Sequence, residues 1–330
     1  MLKRNLYLFI ILISFYCCSQ VKSNLEIRGI SFEAPSTDVS INTFEPLSQI
    51  GANYIALMPY AFARKGETNL HYNINRQWVG EREEGIVQAI VSARHHNLNI
   101  MMKPHLWIQG SFTGDMTFDN EEDWKAWEQS YTSYILFYAK LASKYNVELF
   151  CIGTELKAFV KERPDYWYTL ITKVREVYKG KLIYAANWDN YQFIPFWTAI
   201  DFIGVDAYFP LNDSKTPKIE DLKQGWKPWW NQLETISNKN NRSVVFTEIG
   251  YRSIDYCVKK PWMSYENFGY ENQEAQANAL QAFFETSMNK TFFKGAFLWK
   301  WHAKSHLPSD GNKKYTFQAK KAMDVVLKYY

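Results

Sequence analysis

The chain has 330 residues, of which 47% are hydrophobic, 22% charged and 17% aromatic. This is a globular composition that excludes long disorder, collagen and low-complexity tracts, and four Cys are too few for a disulfide-stapled miniprotein. Lys and Arg exceed Asp and Glu by 38 − 34 = 4, and no basic cluster runs long enough to form a nucleic-acid surface. The 13 Trp, 22 Tyr and 22 Phe have two readings, a ring-packed core or a sugar-binding cleft.

Residues 1–18 read as an export signal. Lys3 and Arg4 form a positive start, and Leu6 to Ile13 an apolar core. That core is too short to span a bilayer, which takes about 20 residues. Cys17 and Cys18 follow, then a polar stretch from Ser19 to Asn24. The pattern resembles a bacterial lipoprotein signal, in which the Cys carries the lipid, although Phe15 and Tyr16 are large for that position. Ordinary cleavage of a secreted protein is the alternative. Both readings place the mature protein outside the cytoplasm, and the first anchors it to a membrane through Cys17 or Cys18. Residues 19–26 are then a tether and residues 27–330 the folded domain.

From Ile27 onward, short apolar runs alternate with helical patterns. The runs are 27–32, 54–58, 98–103, 147–152, 182–186, 202–205, 243–246 and 295–299. Nearly continuous apolar character is expected of strands buried on both faces of a parallel sheet. Helical spacing predicts helices over 81–96, 121–145, 164–178, 219–238, 271–288 and 317–329, with short ones at 43–50 and 191–197. Asp119 or Asn120 can cap the second long helix, and Pro164 suits the first turn of the third. Eight strands alternating with helices predict a single (β/α)8 TIM barrel, an α/β fold. A doubly wound open sheet is the competitor, but the Gly-rich phosphate loop it usually carries after the first strand is missing here. An oxidising compartment permits a Cys151–Cys257 disulfide, whereas the apolar run around Cys151 favours a buried free thiol.

In such a barrel the chemistry sits where strands end. These ends are rich in polar and aromatic residues: Tyr60, Lys103, His105, Trp107, Glu155, Asn187, Trp188, Asp189, Asp206, Tyr208, Glu248, Trp299 and Trp301. Glu155 and Glu248 each stand directly beyond an apolar run, on the fourth and seventh strands. Buried carboxylates there need a partner, solvent or a chemical role. Taken singly, each is best read as a rim salt bridge. Taken together across one mouth ringed by Trp and Tyr, they suit glycoside hydrolysis, in which one carboxyl protonates the leaving oxygen and the other attacks the anomeric carbon. Each charge raises the pKa of the other, which keeps the acid protonated.

The motifs Lys103-Pro104-His105, Ile152-Gly153-Thr154-Glu155-Leu156, Asp201 to Tyr208, Thr247-Glu248-Ile249-Gly250-Tyr251 and Leu298-Trp299-Lys300-Trp301 resemble glycoside hydrolase family 113, the β-mannanases of clan A. The resemblance runs from about residue 26 to the C-terminus. It implies that Glu155 is the acid/base and Glu248 the nucleophile. It further implies that the Tyr208 hydroxyl bonds the nucleophile and that Trp299 floors the sugar subsite at the cleavage point. Many clan A enzymes carry Asn before the acid/base to hold the sugar 2-hydroxyl; here that position is Thr154, and Asn187 is the candidate substitute.

Among the other residues, His105 can orient a sugar hydroxyl or Glu155, or be a satisfied rim histidine, and Lys103 can neutralise the carboxylates. Tyr60, Trp107, Trp188 and Trp301 complete the candidate substrate-binding set. His302 and His306 have i,i+4 spacing, but Leu307-Pro308 argue against a helix, so a metal site is disfavoured and no cofactor is expected. The sequence therefore predicts a retaining hydrolase of a β-linked polysaccharide or oligosaccharide, with β-1,4-mannan favoured. Galactanase, xylanase or β-glucosidase-like activity, or a non-catalytic glycan-binding lipoprotein, are the alternatives.

Overall fold

The computed structural model describes residues 24–263, 269–303 and 313–330. The export signal with Cys17 and Cys18 lies outside the described residues, as do His306, Leu307 and Pro308. In chain order the strands are β1 (Ile27–Phe32), β2 (Tyr54–Leu57), β3 (Tyr60–Arg64), β4 (His71–Tyr72), β5 (Asn99–Met102), β6 (His105–Gln109), β7 (Leu149–Thr154), β8 (Lys181–Asn187), β9 (Phe202–Asp206), β10 (Val244–Ile249) and β11 (Phe293–Trp301). Eight of them close into a barrel in the order β1-β11-β10-β9-β8-β7-β5-β2. These eight are the apolar runs of the sequence, and all seven intervals between them hold helix or helical turns.

The helices are α1 (Glu45–Gln49), α2 (Glu83–His95), α3 (Glu121–Lys144), α4 (Lys157–Glu162), α5 (Pro164–Val177), α6 (Ile219–Asn240), α7 (Gln273–Ser287) and α8 (Lys321–Tyr329). Asn120 caps α3 by accepting from the Asp123 N–H at 2.9 Å. The helix predicted over 191–197 is instead two 3-10 turns, Tyr191–Phe193 and Trp197–Ala199. Pro195 lies between them and lacks the N–H that a continuous helix needs. The last helix starts four residues later than predicted because Ala319 has φ 55, outside helical space. α4 has no counterpart in the predicted set. It is separated from α5 at Arg163, whose position before Pro164 disfavours helix.

A second sheet, ordered β4-β3-β6, was also not predicted. It arises from two proline breaks. Pro59 ends the β2 run and Pro104 the β5 run, and each chain resumes at once as β3 and β6. These pair in parallel, Tyr60 with His105 and Phe62 with Trp107. The result is a wall raised over one side of the barrel mouth.

Two apolar layers hold the fold. Inside the barrel, Ile27, Ala56, Met101, Leu149, Cys151, Ile183, Ala185, Val245 and Phe297 pack together. Outside it, the helices pack on the strands through rings, with Trp127, Trp167, Trp197 and Trp226 fully buried. Most of the aromatic surplus is therefore core. Cys151 and Cys257 are both buried free thiols, so the permitted disulfide is not formed. Barrel closure needs Gly295, which pairs with Ile27 at φ 138; a Cβ there would collide with the Ile27 carbonyl oxygen. Among the described residues no helix is long and apolar enough to cross a membrane.

Candidate active site

The polar residues at the strand ends converge over the barrel. Glu248 lies within β10 and is buried, 6% exposed. Glu155 follows β7 directly and is half-buried. β8 and β9 separate these two strands around the ring. The chain turns sharply at Glu155, which has φ 55. A left-handed non-glycine residue of this kind costs about 1–3 kcal/mol and persists only where its surroundings hold it. Here the Glu155 N–H donates to the Ala185 carbonyl at 2.8 Å, and the next N–H, of Leu156, donates to the Tyr184 hydroxyl at 3.0 Å.

Lys103 emerges at the end of β5, which lies directly opposite β10 in the eight-strand ring. Its fully buried side chain crosses the interior, and Nζ donates to Glu248 Oε1 at 2.5 Å and to Asp206 Oδ1 at 3.0 Å. The other Glu248 oxygen, Oε2, accepts from the Tyr208 hydroxyl at 2.7 Å. Asp206 is fixed in turn by the Thr247 hydroxyl, which donates to Oδ1 at 2.7 Å. Sequence reading left Thr247 unassigned; its place directly before Glu248, facing a rim acid, was the available signal.

This geometry separates the two carboxyls in proton affinity. Burial raises Glu155 well above the usual carboxylate range, and the charges of Asp206 and Glu248 raise it further against the pull of Lys103. Glu248 is pushed up to about 7 by burial and then by Asp206, while Lys103 and the Tyr208 hydroxyl hold it down. Burial opposes the Lys103 charge, but Asp206 and Glu248 outweigh it and leave that pKa above its ordinary value. One ammonium thus serves Asp206 and Glu248, and Glu155 takes the proton. The arrangement can hold one carboxyl as an acid and the other as an anion in the same mouth.

His105 lies beside Glu248 rather than Glu155. Its Nε2 is 3.7 Å from Glu248 Oε1, beyond hydrogen-bond reach, and it has no hydrogen-bond partner. Burial and then the Lys103 charge hold its pKa well below the usual value, so the ring is neutral. It sits between Tyr60, at a centroid distance of 5.3 Å, and Trp299, near-parallel to it at 6.2 Å. Trp107 stands on the raised wall, 61% exposed. Asn187 ends β8 opposite Asp206, and its Oδ1 accepts from the Trp188 N–H at 2.8 Å. Trp188 stacks on Trp262 at 4.7 Å.

Trp301, which sequence reading put with the sugar-binding rings, is buried against Phe317. Strand alternation would put Trp299 and Trp301 on one face. The register instead shifts, with Ser31 opposite Trp299 and Phe32 opposite Trp301, so Lys300 is an extra residue that changes the phase. His302 Nδ1 contacts Glu33; its proposed partner His306 lies outside the described residues. Asp189 faces Lys157 at 3.3 Å.

A (β/α)8 mouth that holds two carboxyl groups at unequal proton affinity, flanked by exposed rings, defines a barrel enzyme built for cleaving glycosidic bonds. The chain belongs to glycoside hydrolase family 113, whose model matches residues 28–320. Its fold is similar to that of a family 113 β-mannanase from Alicyclobacillus acidocaldarius solved in complex with ManMIm, with TM-score 0.81, 24% identity, and 92% of this chain and 96% of that one covered. A second family 113 β-1,4-mannanase, solved as a complex, gives TM-score 0.79 and 22% identity over 94% and 99%. A β-glucuronidase of Ruminococcus gnavus is more distant, with TM-score 0.60 and 14% identity, 91% of this chain and 49% of that one being covered. No curated protein sequence matches the chain significantly.

Removing the buried ammonium would leave Asp206 and Glu248 facing each other uncompensated. Lys103→Met is expected to lower the unfolding free energy by about 3–5 kcal/mol at neutral pH, read by denaturant titration. A loss near zero would mean that the ammonium does not hold these carboxylates together.

Proposed function

We propose that this glycoside hydrolase cleaves β-linked mannan or manno-oligosaccharides with net retention, using Glu248 as nucleophile and Glu155 as acid/base. The observation that carries the reading is the clamp on Glu248. Lys103 and Tyr208 engage its two oxygens, while Glu155 has no such cation and takes up the proton. Placement of the pair at the ends of the fourth and seventh barrel strands, the clan A pattern, supports retention. The β-mannanase names of the similar structures support the substrate.

In the first step a Glu248 carboxylate oxygen forms a bond to the anomeric carbon as the glycosidic C–O bond breaks. The Glu155 proton passes to the leaving oxygen. A covalent glycosyl-enzyme remains, and Glu155 is now a carboxylate. In the second step Glu155 takes a proton from water, whose oxygen attacks the anomeric carbon and releases Glu248. Neutral His105, Tyr60 and Trp299 line the sugar at the cleavage point, and Asn187 is the candidate for the 2-hydroxyl contact in place of Thr154. No step calls for a metal or organic cofactor.

Two variants test the assignment. Glu248→Gln is expected to abolish turnover of β-mannan and of aryl β-mannosides. Glu155→Ala is expected to retain the first step on aryl glycosides with good leaving groups, and added azide should accelerate it by forming a β-glycosyl azide. Failure of azide to rescue Glu155→Ala, or turnover by Glu248→Gln, would contradict the roles.

We also propose export with a lipid anchor on Cys17 or Cys18, supported by the charged start, short apolar core and polar tether of the leader. The full chain expressed in a bacterium should partition into detergent, and the Cys17→Ser/Cys18→Ser double variant should not. Equal partition of both would overturn the anchor.

A further inference from the structure

The barrel strands all run toward the mouth, so the opposite end, the floor, is built from strand starts and helix ends. It consists of residues 24–28, 49–53, 94–99, 144–148, 175–181, 198–201, 239–243, 288–294 and 328–330. These hold eleven Lys or Arg and four Asp or Glu, a net charge of 11 − 4 = 7, whereas the whole chain has +4. The rest of the chain is therefore net negative. The basic segments are scattered in sequence, and the closed barrel gathers them. We propose that the floor is a docking surface for anionic lipid headgroups, which holds the barrel on the membrane with its mouth facing away. The proposal rests on the reading of Cys17 or Cys18 as a lipid anchor.

The cations are available for this contact. Three of the four acids are neutralised inside the floor: Glu148 by Arg94, Asp201 by Arg175 and Lys181, and Glu26 by Lys294. Lys144, Lys179, Lys239 and Lys328 are exposed and form no ion pair among the described residues. Helix dipoles favour cations at C-terminal ends, which accounts for Arg94, Lys144, Arg175, Lys239 and Lys328. They do not account for Lys179, Lys181, Arg242, Lys290 and Lys294, which stand in loops or at strand starts.

The entry of the chain sets the orientation. Leu25 is buried and its carbonyl accepts from Arg28 Nη1 at 3.3 Å, while the Glu26 carbonyl accepts from Asn53 Nδ2 at 2.9 Å. The chain is thus fixed to the floor from Leu25 onward. Asn24 is six residues beyond Cys18 and seven beyond Cys17. A chain spans at most roughly 3.3–3.6 Å per residue, so the anchor lies no more than about 25 Å away. A folded body of about 300 residues has a radius of gyration of about 19 Å, and turning its mouth to the membrane would take the tether round roughly 60 Å of surface. Glu26 also lines a hollow of about 470 Å³ whose rim includes Arg175, Lys179 and Lys181. The tether therefore leaves beside the basic turn after α5. Attraction between a basic surface and anionic lipid fades within a Debye length, about 8–10 Å, and a short tether at this point keeps the cations close to the headgroups.

The test uses the mature wild-type protein reconstituted on the outside of lipid vesicles. Intact mass first reports whether Cys17 or Cys18 carries acyl chains. Lysine acetylation, read by proteolysis and mass spectrometry, then compares phosphatidylcholine vesicles with phosphatidylglycerol vesicles. Lys144, Lys179 and Lys239 should react about threefold or more slowly on phosphatidylglycerol. Lys161 of α4, on the mouth side and 79% exposed, should react at one rate on both. Salt of about 1 M, where the Debye length falls to about 3 Å, should remove the difference. The Lys179→Gln/Lys239→Gln/Lys290→Gln variant breaks no ion pair among the described residues and should lose the slowing at Lys144, with Tm and hydrolysis of a soluble substrate maintained. Equal rates at the floor lysines on the two lipids, or equal slowing of Lys161, would overturn the docking surface. If the mass shows no acyl chain, the anchor reading falls and the floor is tested by sedimentation of the same protein. It should then pellet with phosphatidylglycerol vesicles and not with phosphatidylcholine vesicles, and equal pelleting would overturn it.

Discussion

The site depends on one buried cation. Lys103 reaches across the barrel and places its ammonium 2.5 Å from Glu248 and 3.0 Å from Asp206. Without it, three carboxyl groups would share a mouth with little solvent and no cation between them, which is costly. With it, Asp206 and Glu248 share one cation, and burial together with their charges pushes the remaining carboxyl, Glu155, well above the usual carboxylate range. The proposed acid and nucleophile are chemically the same residue type. Their difference comes from what lies within hydrogen-bond distance.

The backbone reinforces this division. Glu155 occupies a left-handed conformation at the end of β7, whereas Glu248 lies inside β10, where the pairing with β9 and β11 shifts register. Among the described residues Glu155 has no side-chain clamp, whereas Glu248 is held by Lys103 and Tyr208. Departures from regular strand also shape the cleft. Two prolines, Pro59 and Pro104, stop the β2 and β5 runs and lift β3 and β6 into a wall that carries Tyr60, His105 and Trp107. A register shift at Lys300 separates Trp299, which faces His105, from Trp301, which joins the helix-side core.

The barrel was legible because burial on both faces leaves short apolar runs of the kind a parallel sheet uses, and helical spacing lies between them. Glu155 and Glu248 were legible because each carboxyl stands within three residues of the end of such a run. The wall was not, because β3 and β6 begin immediately after Pro59 and Pro104, where a sequence pattern reads as a strand's end. The burial of Trp301 was not, because a register shift leaves no mark in composition or periodicity. The basic floor escaped notice for a related reason: its cations come from separate turns that only the closed barrel brings together. The Trp count was ambiguous by nature. Most of these rings pack helices on strands, and only a minority, chiefly Trp107, Trp188 and Trp299, stand at the mouth.

The central claim is that the carboxyl clamped by Lys103 and Tyr208 is the one that attacks the sugar. A 2-deoxy-2-fluoro β-mannosyl fluoride slows release of the covalent intermediate and lets it accumulate. After proteolysis and mass spectrometry, the account predicts one fluoromannosyl group, carried on Glu248. Label on Glu155, or no covalent adduct while the same reagent is hydrolysed with inversion, would contradict it.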